Sequence, residues 1–154
     1  MQASLLSTTE RKKDGSFLKT NRCCGATIDM MQKDFCFADA LFEEYRNPAY
    51  SPIVFYVKSS LSDEYVADKL TACGIKTVNG DAIQSVTTVK EAVAVKSIEL
   101  VEDSAFLQEH LALLLDSSKE NNQTIILTSH KSINEMQLIG ILRARLLYGV
   151  YVEL

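Results

Sequence analysis

The residues most able to handle a charged ligand lie between Val57 and Glu64, where the chain reads Val57-Lys58-Ser59-Ser60-Leu61-Ser62-Asp63-Glu64. An unbroken apolar run, Ile53 to Val57, precedes them, as expected of a strand buried on both faces. After them Tyr65, Val66, Lys69, Leu70 and Cys73 recur at helical spacing, and Gly74 closes the segment. Ser62 suits the helix N-cap, and Asp63 and Glu64 suit a first turn. A strand, a tight turn and a helix N-terminus can hold phosphate. The turn must then supply glycines for close backbone approach, a Lys, and a hydroxyl for Mg²⁺, in the pattern GxxxxGK[ST]. Here Val57 and Ser62 stand at the glycine positions, Asp63 at the Lys and Glu64 at the hydroxyl. Two carboxylates repel a phosphate, and Lys58 lies on the wrong side of the turn to compensate. The stretch therefore predicts the scaffold of a phosphate site without the site: no bound cofactor and no catalysis.

Glu102-Asp103 follows the apolar run Ile98-Glu99-Leu100-Val101 and could serve a divalent cation. With no phosphate cradle beside it, solvated or capping carboxylates are expected instead, and no metal. His130 follows Thr124-Ile125-Ile126-Leu127-Thr128 and is expected to bond a neighbour rather than catalyse. Cys23, Cys24, Cys36 and Cys73 lack paired CxxC spacing and lie far from His110 and His130, which argues against zinc and for reduced thiols.

These residues need a frame. The chain has 154 residues, 47% hydrophobic and 23% charged, enough for one domain with a real core. A net charge of −4 argues against direct nucleic-acid binding. No apolar run approaches a membrane span, and the polar N-terminus lacks the apolar stretch of a signal peptide, so a cytoplasmic protein is expected. Residues 1–26 read as a flexible, solvated tail, with the domain over 27–154. Ile28, Met31, Phe35, Ala38, Leu41, Phe42 and Tyr45 form a helical stripe expected to pack on a sheet. Beyond the first strand and helix, strands are predicted at 75–78, 97–101, 124–128 and 150–154. Helices are predicted at 86–93, 104–120 and 133–145, with Phe106, Leu107, His110, Leu111, Leu114 and Leu115 of the middle one facing inward. Strands alternating with helices predict an α/β protein, a three-layer αβα sandwich around a five-stranded parallel sheet.

Three blocks resemble the AAA+ family of the replication initiator DnaA and its regulatory homologue Hda. Pro52-Ile53-Val54-Phe55-Tyr56 with VKSSLSDEYV is similar to PLFLYG–GxGLGKTHL, keeping Leu61 and losing the catalytic residues. Ile98 to Leu107 resembles the Walker B block LLLIDDIQFL, which makes Glu102 and Asp103 a Walker B remnant. Gln123 to His130 and Leu142 to Gly149 resemble QIVLTSD and LxSRLxWG. The resemblance covers roughly residues 50 to 154. It implies an AAA+ (P-loop NTPase-like) core without the lid domain, and it puts His130 at the position of a sensor Asp. It matches Arg145 to the arginine that reaches a partner's nucleotide, against the alternative of an ordinary salt-bridging Arg.

Gln2-Ala3-Ser4-Leu5-Leu6 is similar to the peptide by which Hda binds the DNA polymerase sliding clamp, with Leu5 and Leu6 entering an apolar cleft and Gln2 bonding its rim. The resemblance implies a non-catalytic protein that controls replication initiation through contact with the clamp and with DnaA or a related AAA+ protein. Two alternatives stand beside it. One is an NTPase with an unorthodox site built from Lys58, Glu102 and Asp103. The other is an unrelated α/β signalling or scaffold domain, which strand order would separate from AAA+.

Overall fold

A computed structural model describes residues 30–154, with side chains from Phe35 onward. Two compact units divide between Glu44 and Tyr45. The described part of the first is helix α1, Met30–Glu43, which buries Ala38, Leu41 and Phe42 at the expected spacing. Cys36 on this helix is disulfide-bonded, which corrects the expectation of reduced thiols there, whereas Cys73 is free. Gln2 to Leu6 lies outside the described residues.

The second unit holds a five-stranded, all-parallel sheet in the order β2-β3-β4-β1-β5. Its strands are β1 (Ile53–Tyr56), β2 (Lys76–Asn79), β3 (Val93–Lys96), β4 (Ile125–Ser129) and β5 (Val150–Glu153). Register aligns Val54 with Leu127 and Tyr151, and Val95 with Leu127. These side chains share a face with Val93 and Ile125 and join the core made with helices α3 (Ala105–Glu120) and α4 (Gly140–Leu146). The opposite face carries Ile53, Phe55, Ala94, Ile126 and Thr128, also buried. The crossover from β1 to β2 runs against those from β3 to β4 and β4 to β5. Right-handed connections therefore set helix α2 (Ser60–Ala72) on that second face, opposite α3 and α4. The expected sandwich is present, and its strand order differs from the flavodoxin-like order 2-1-3-4-5.

Several boundaries differ from those read in the sequence. The third strand is Val93–Lys96, not 97–101; Ser97 takes a left-handed φ of 59° and Ile98–Val101 becomes a 3-10 turn. Residues 86–92 form no helix. Their β-branched Val86, Thr87, Thr88 and Val89 disfavour one, and α3 satisfies their backbone instead. Ser117 accepts from the Val89 N–H at 2.9 Å, Asn121 donates to the Val89 carbonyl at 2.9 Å, and His110 Nε2 lies 2.7 Å from the Val86 carbonyl. Residues 133–145 split into a 3-10 turn, Ile133–Glu135, and the shorter α4. Phe106 lies 62% exposed rather than inward.

Helix ends follow their chemistry. Gly74 exits α2 at a φ of 69°, a left-handed conformation that costs glycine little. At the start of β5, Gly149 is pressed against Pro52: a Cβ there would fall 1.9 Å from the Pro52 carbonyl oxygen. Gly140 opens α4 with free space around it. Gly149→Ala should therefore destabilise by at least about 1–3 kcal/mol, since backbone has to move. Gly140→Ala should be neutral or stabilising by up to about 1 kcal/mol. Urea midpoints at unchanged m-value check both.

Candidate functional site

The C-terminal edge of the sheet gathers most of the residues singled out in the sequence. Three residues, Val57, Lys58 and Ser59, connect β1 to α2. Val57 donates its N–H to the Ser129 carbonyl at 2.8 Å, which holds the connection down against β4. Ser59, not Ser62, is the N-cap of α2. Its hydroxyl accepts from the Ser62 N–H at 3.2 Å, and the Ser62 hydroxyl lies 3.2 Å from the Ser59 N–H, closing a capping box. Ser62 is fully buried in this role. Lys58 points to Glu153 at 3.5 Å and lies over the Tyr56 ring. Ser60, Leu61 and Glu64 belong to the first turns of α2, with Leu61 57% exposed.

Asp63 enters a set of contacts that sequence reasoning did not assemble. The Nε2 of His130 lies 3.5 Å from Asp63 Oδ1, and its Nδ1 lies 3.0 Å from Glu99 Oε2. The His130 backbone N–H also donates to Glu99 Oε1 at 3.1 Å. His130 thus bonds its neighbours, as expected of it. The hydrogen bond to Glu99 holds the His130 pKa above its usual 6.5, against burial, with Asp63 adding to the rise. Burial pushes the Glu99 carboxyl up, but the bonds from His130 and its own backbone outweigh it and leave it below 4.5.

Glu102 and Asp103 do not stand at a strand end. β3 stops at Lys96, and the 3-10 turn Ile98–Val101 intervenes, so Lys96 and Ser97 occupy the strand terminus. Glu102 accepts from the Gln137 N–H at 2.8 Å and from Lys131 Nζ at 3.0 and 3.1 Å. Gln108, buried within α3, fixes the same corner. Its amide donates to the carbonyls of Val101 and Glu102, and its oxygen accepts from the Ile139 N–H at 2.7 Å. The signal for Gln108 was a polar residue inside an apolar helical stripe; nothing in the spacing revealed Glu99 or Lys131. Among the described residues no cluster of His, Cys, Asp and Glu could hold a metal ion.

Arg145 lies at the opposite end of the sheet. It makes a two-pronged contact with Asp116 of α3, Nε to Oδ1 at 2.6 Å and NH2 to Oδ2 at 3.3 Å, the geometry of the salt-bridging alternative. Both residues line a cleft of about 690 Å³ with Pro48, Pro52, Lys119 and Tyr148. Lys119 Nζ sits 5.3 Å from the Tyr148 ring centre.

The backbone bond from Gln137 and the ion pair with Lys131 hold the Glu102 carboxyl below its usual 4.5. A lowered pKa contributes stability that is present above 4.5 and lost as pH falls through the folded value. Glu102→Gln should cost about 1–2 kcal/mol at pH 7 and flatten the loss of stability below pH 4.5. Urea melts at pH 7 and across pH 3–5 read both effects.

No family model matches the chain, and no curated protein matches it in sequence. Solved structures do match its fold. AMPPCP-bound DnaA from Aquifex aeolicus superposes with a TM-score of 0.65 at 12% identity, over 84% of this chain and 48% of that one. Domain III of DnaA from Thermotoga maritima gives 0.59 at 10% identity, over 84% and 64%. DnaI gives 0.53 at 12%, over 84% of each chain. The chain spans about half the length of the first DnaA structures it matches. No helix among the described residues is long and apolar enough to cross a membrane. The α/β fold of this chain is that of the solved DnaA and DnaI structures.

Proposed function

We propose that the chain is a non-catalytic relative of the DnaA-type AAA+ proteins that works by protein contact in the control of replication initiation. The observation that carries this reading is the β1–α2 connection. Three residues join the strand to a helix whose N-terminus is already closed by the Ser59–Ser62 capping box. A phosphate cradle needs a longer, glycine-rich loop with backbone N–H groups turned toward the ligand. Here the position of the phosphate-binding Lys belongs to Asp63, which faces His130, while Lys58 is directed at Glu153. Lys96 and Ser97 at the end of β3 supply no carboxylate for a metal-bound nucleotide.

Protein contact is then the remaining use of the fold. Gln2, Ala3, Ser4, Leu5 and Leu6 would tether the chain to the sliding clamp, by the resemblance of that peptide to a clamp-binding motif. Arg145, beside the cleft at the far end of the sheet, would face DnaA or another AAA+ partner. It would first exchange its contact with Asp116 for one across the interface.

Thermal melting with ATP or ADP and Mg²⁺ tests the non-catalytic reading. No change in Tm is expected. A nucleotide held at a hundred times its Kd would add about 2.7 kcal/mol, a rise of several degrees, and a rise abolished by Lys58→Ala would overturn the reading. Binding to purified sliding clamp tests the tether. Leu5→Ala and Leu6→Ala should each weaken it tenfold or more, and equal binding by the variants, or none by the parent chain, removes it.

A further inference from the structure

His130 stands at the end of β4 with a carboxylate on either side of its ring. Its Nδ1 is 3.0 Å from Glu99 Oε2, and its Nε2 is 3.5 Å from Asp63 Oδ1. A neutral imidazole carries one N–H and one lone pair, so it can donate to only one of these oxygens. The other nitrogen would then turn its lone pair toward a carboxylate. Imidazolium alone donates both ways.

The two contacts are unequal. Glu99 is nearer and also accepts the His130 backbone N–H, so it keeps hold of this corner whether or not the ring is charged. The contact with Asp63 runs through the ring. Of the other charged groups at this edge, Lys131 pairs with Glu102 and Lys58 with Glu153, and Lys96 ends β3. Asp63 belongs to the first turn of α2, where the Ser62 and Asp63 amides are held by the hydroxyl and carbonyl of Ser59.

We infer that His130 is a proton-operated strap: as imidazolium it ties the first turn of α2 to the end of β4 and the 3-10 turn after β3, and on losing its proton it keeps Glu99 and releases Asp63. The strap does not depend on the functional reading above. The bond to Glu99 keeps the His130 pKa above 6.5. A raised pKa contributes stability that is complete below the unfolded value and is lost as pH rises through the folded one. Release therefore falls above pH 6.5, on the neutral to alkaline side. A macromolecule gripping this edge would meet a surface whose first helical turn loosens with pH.

NMR on the full chain tests this, with the His130 ring resonances read apart from those of His110. As pH crosses the His130 midpoint, exchange of the Ser62 amide should accelerate about two- to fivefold beyond its intrinsic pH dependence, the range of an exposed ion pair. Asp63→Asn should lower the His130 midpoint, and His130→Gln should remove the step in Ser62 exchange. Exchange at Ser62 that follows intrinsic base catalysis alone through the His130 titration would overturn the strap, using the parent chain and no variant. So would a midpoint unmoved by Asp63→Asn.

Discussion

An imidazole between two carboxylates ties three elements together at the C-terminal edge of this sheet. A parallel sheet brings together at that edge its strand ends and the positive ends of its helices, and in open α/β folds a ligand commonly meets them. In this chain several side chains of the protein meet one another at that edge. His130 joins α2 to the turn after β3, Lys131 and Gln137 hold Glu102, and Ser59 and Ser62 close the helix N-terminus. Asp63, which stands at the position of the phosphate-binding Lys, has a partner within the chain, as do Glu99 and Glu102.

The frame was legible because its signals are redundant. Five apolar runs, separated by amphipathic stretches and turn residues such as Gly74 and Asn121-Asn122, leave few arrangements other than a covered parallel sheet. The third strand was misplaced because two short apolar runs, Val93-Ala94-Val95 and Ile98 to Val101, are separated only by Lys96 and Ser97, and periodicity cannot choose between them. Tertiary pairing with β2 and β4 selects the first, and the left-handed Ser97 breaks the chain before the second. That shift carried the acidic pair with it, from a strand end to a loop. The strap was not legible at all, since Asp63, Glu99 and His130 are separated by 36 and 31 residues and meet only through the sheet order.

The two ends of the sheet differ in kind. At the C-terminal end Asp63, Glu99 and Glu102 are paired within the chain, and the start of α2 is closed by its capping box. The opposite end has a cleft of about 690 Å³ between the Pro48–Pro52 loop and the last turns of α3 and α4. There the Arg145–Asp116 pair and Lys119 over Tyr148 set the lining, with Tyr148 70% exposed. Basic groups in a last helical turn suit the helix dipole, which explains why they lie there without invoking a ligand.

The outermost strand on one side, β2, is four residues long and presents Lys76, Thr77 and Asn79 to solvent. An open strand is a template on which a foreign chain can be zipped, and proteins that crowd together at high concentration are exposed to that hazard. Brevity and a lysine ammonium make this border a poor one to extend. Sheet growth by recruitment of further copies is thereby discouraged, and the fold can offer its other surfaces to partners without inviting fibrils.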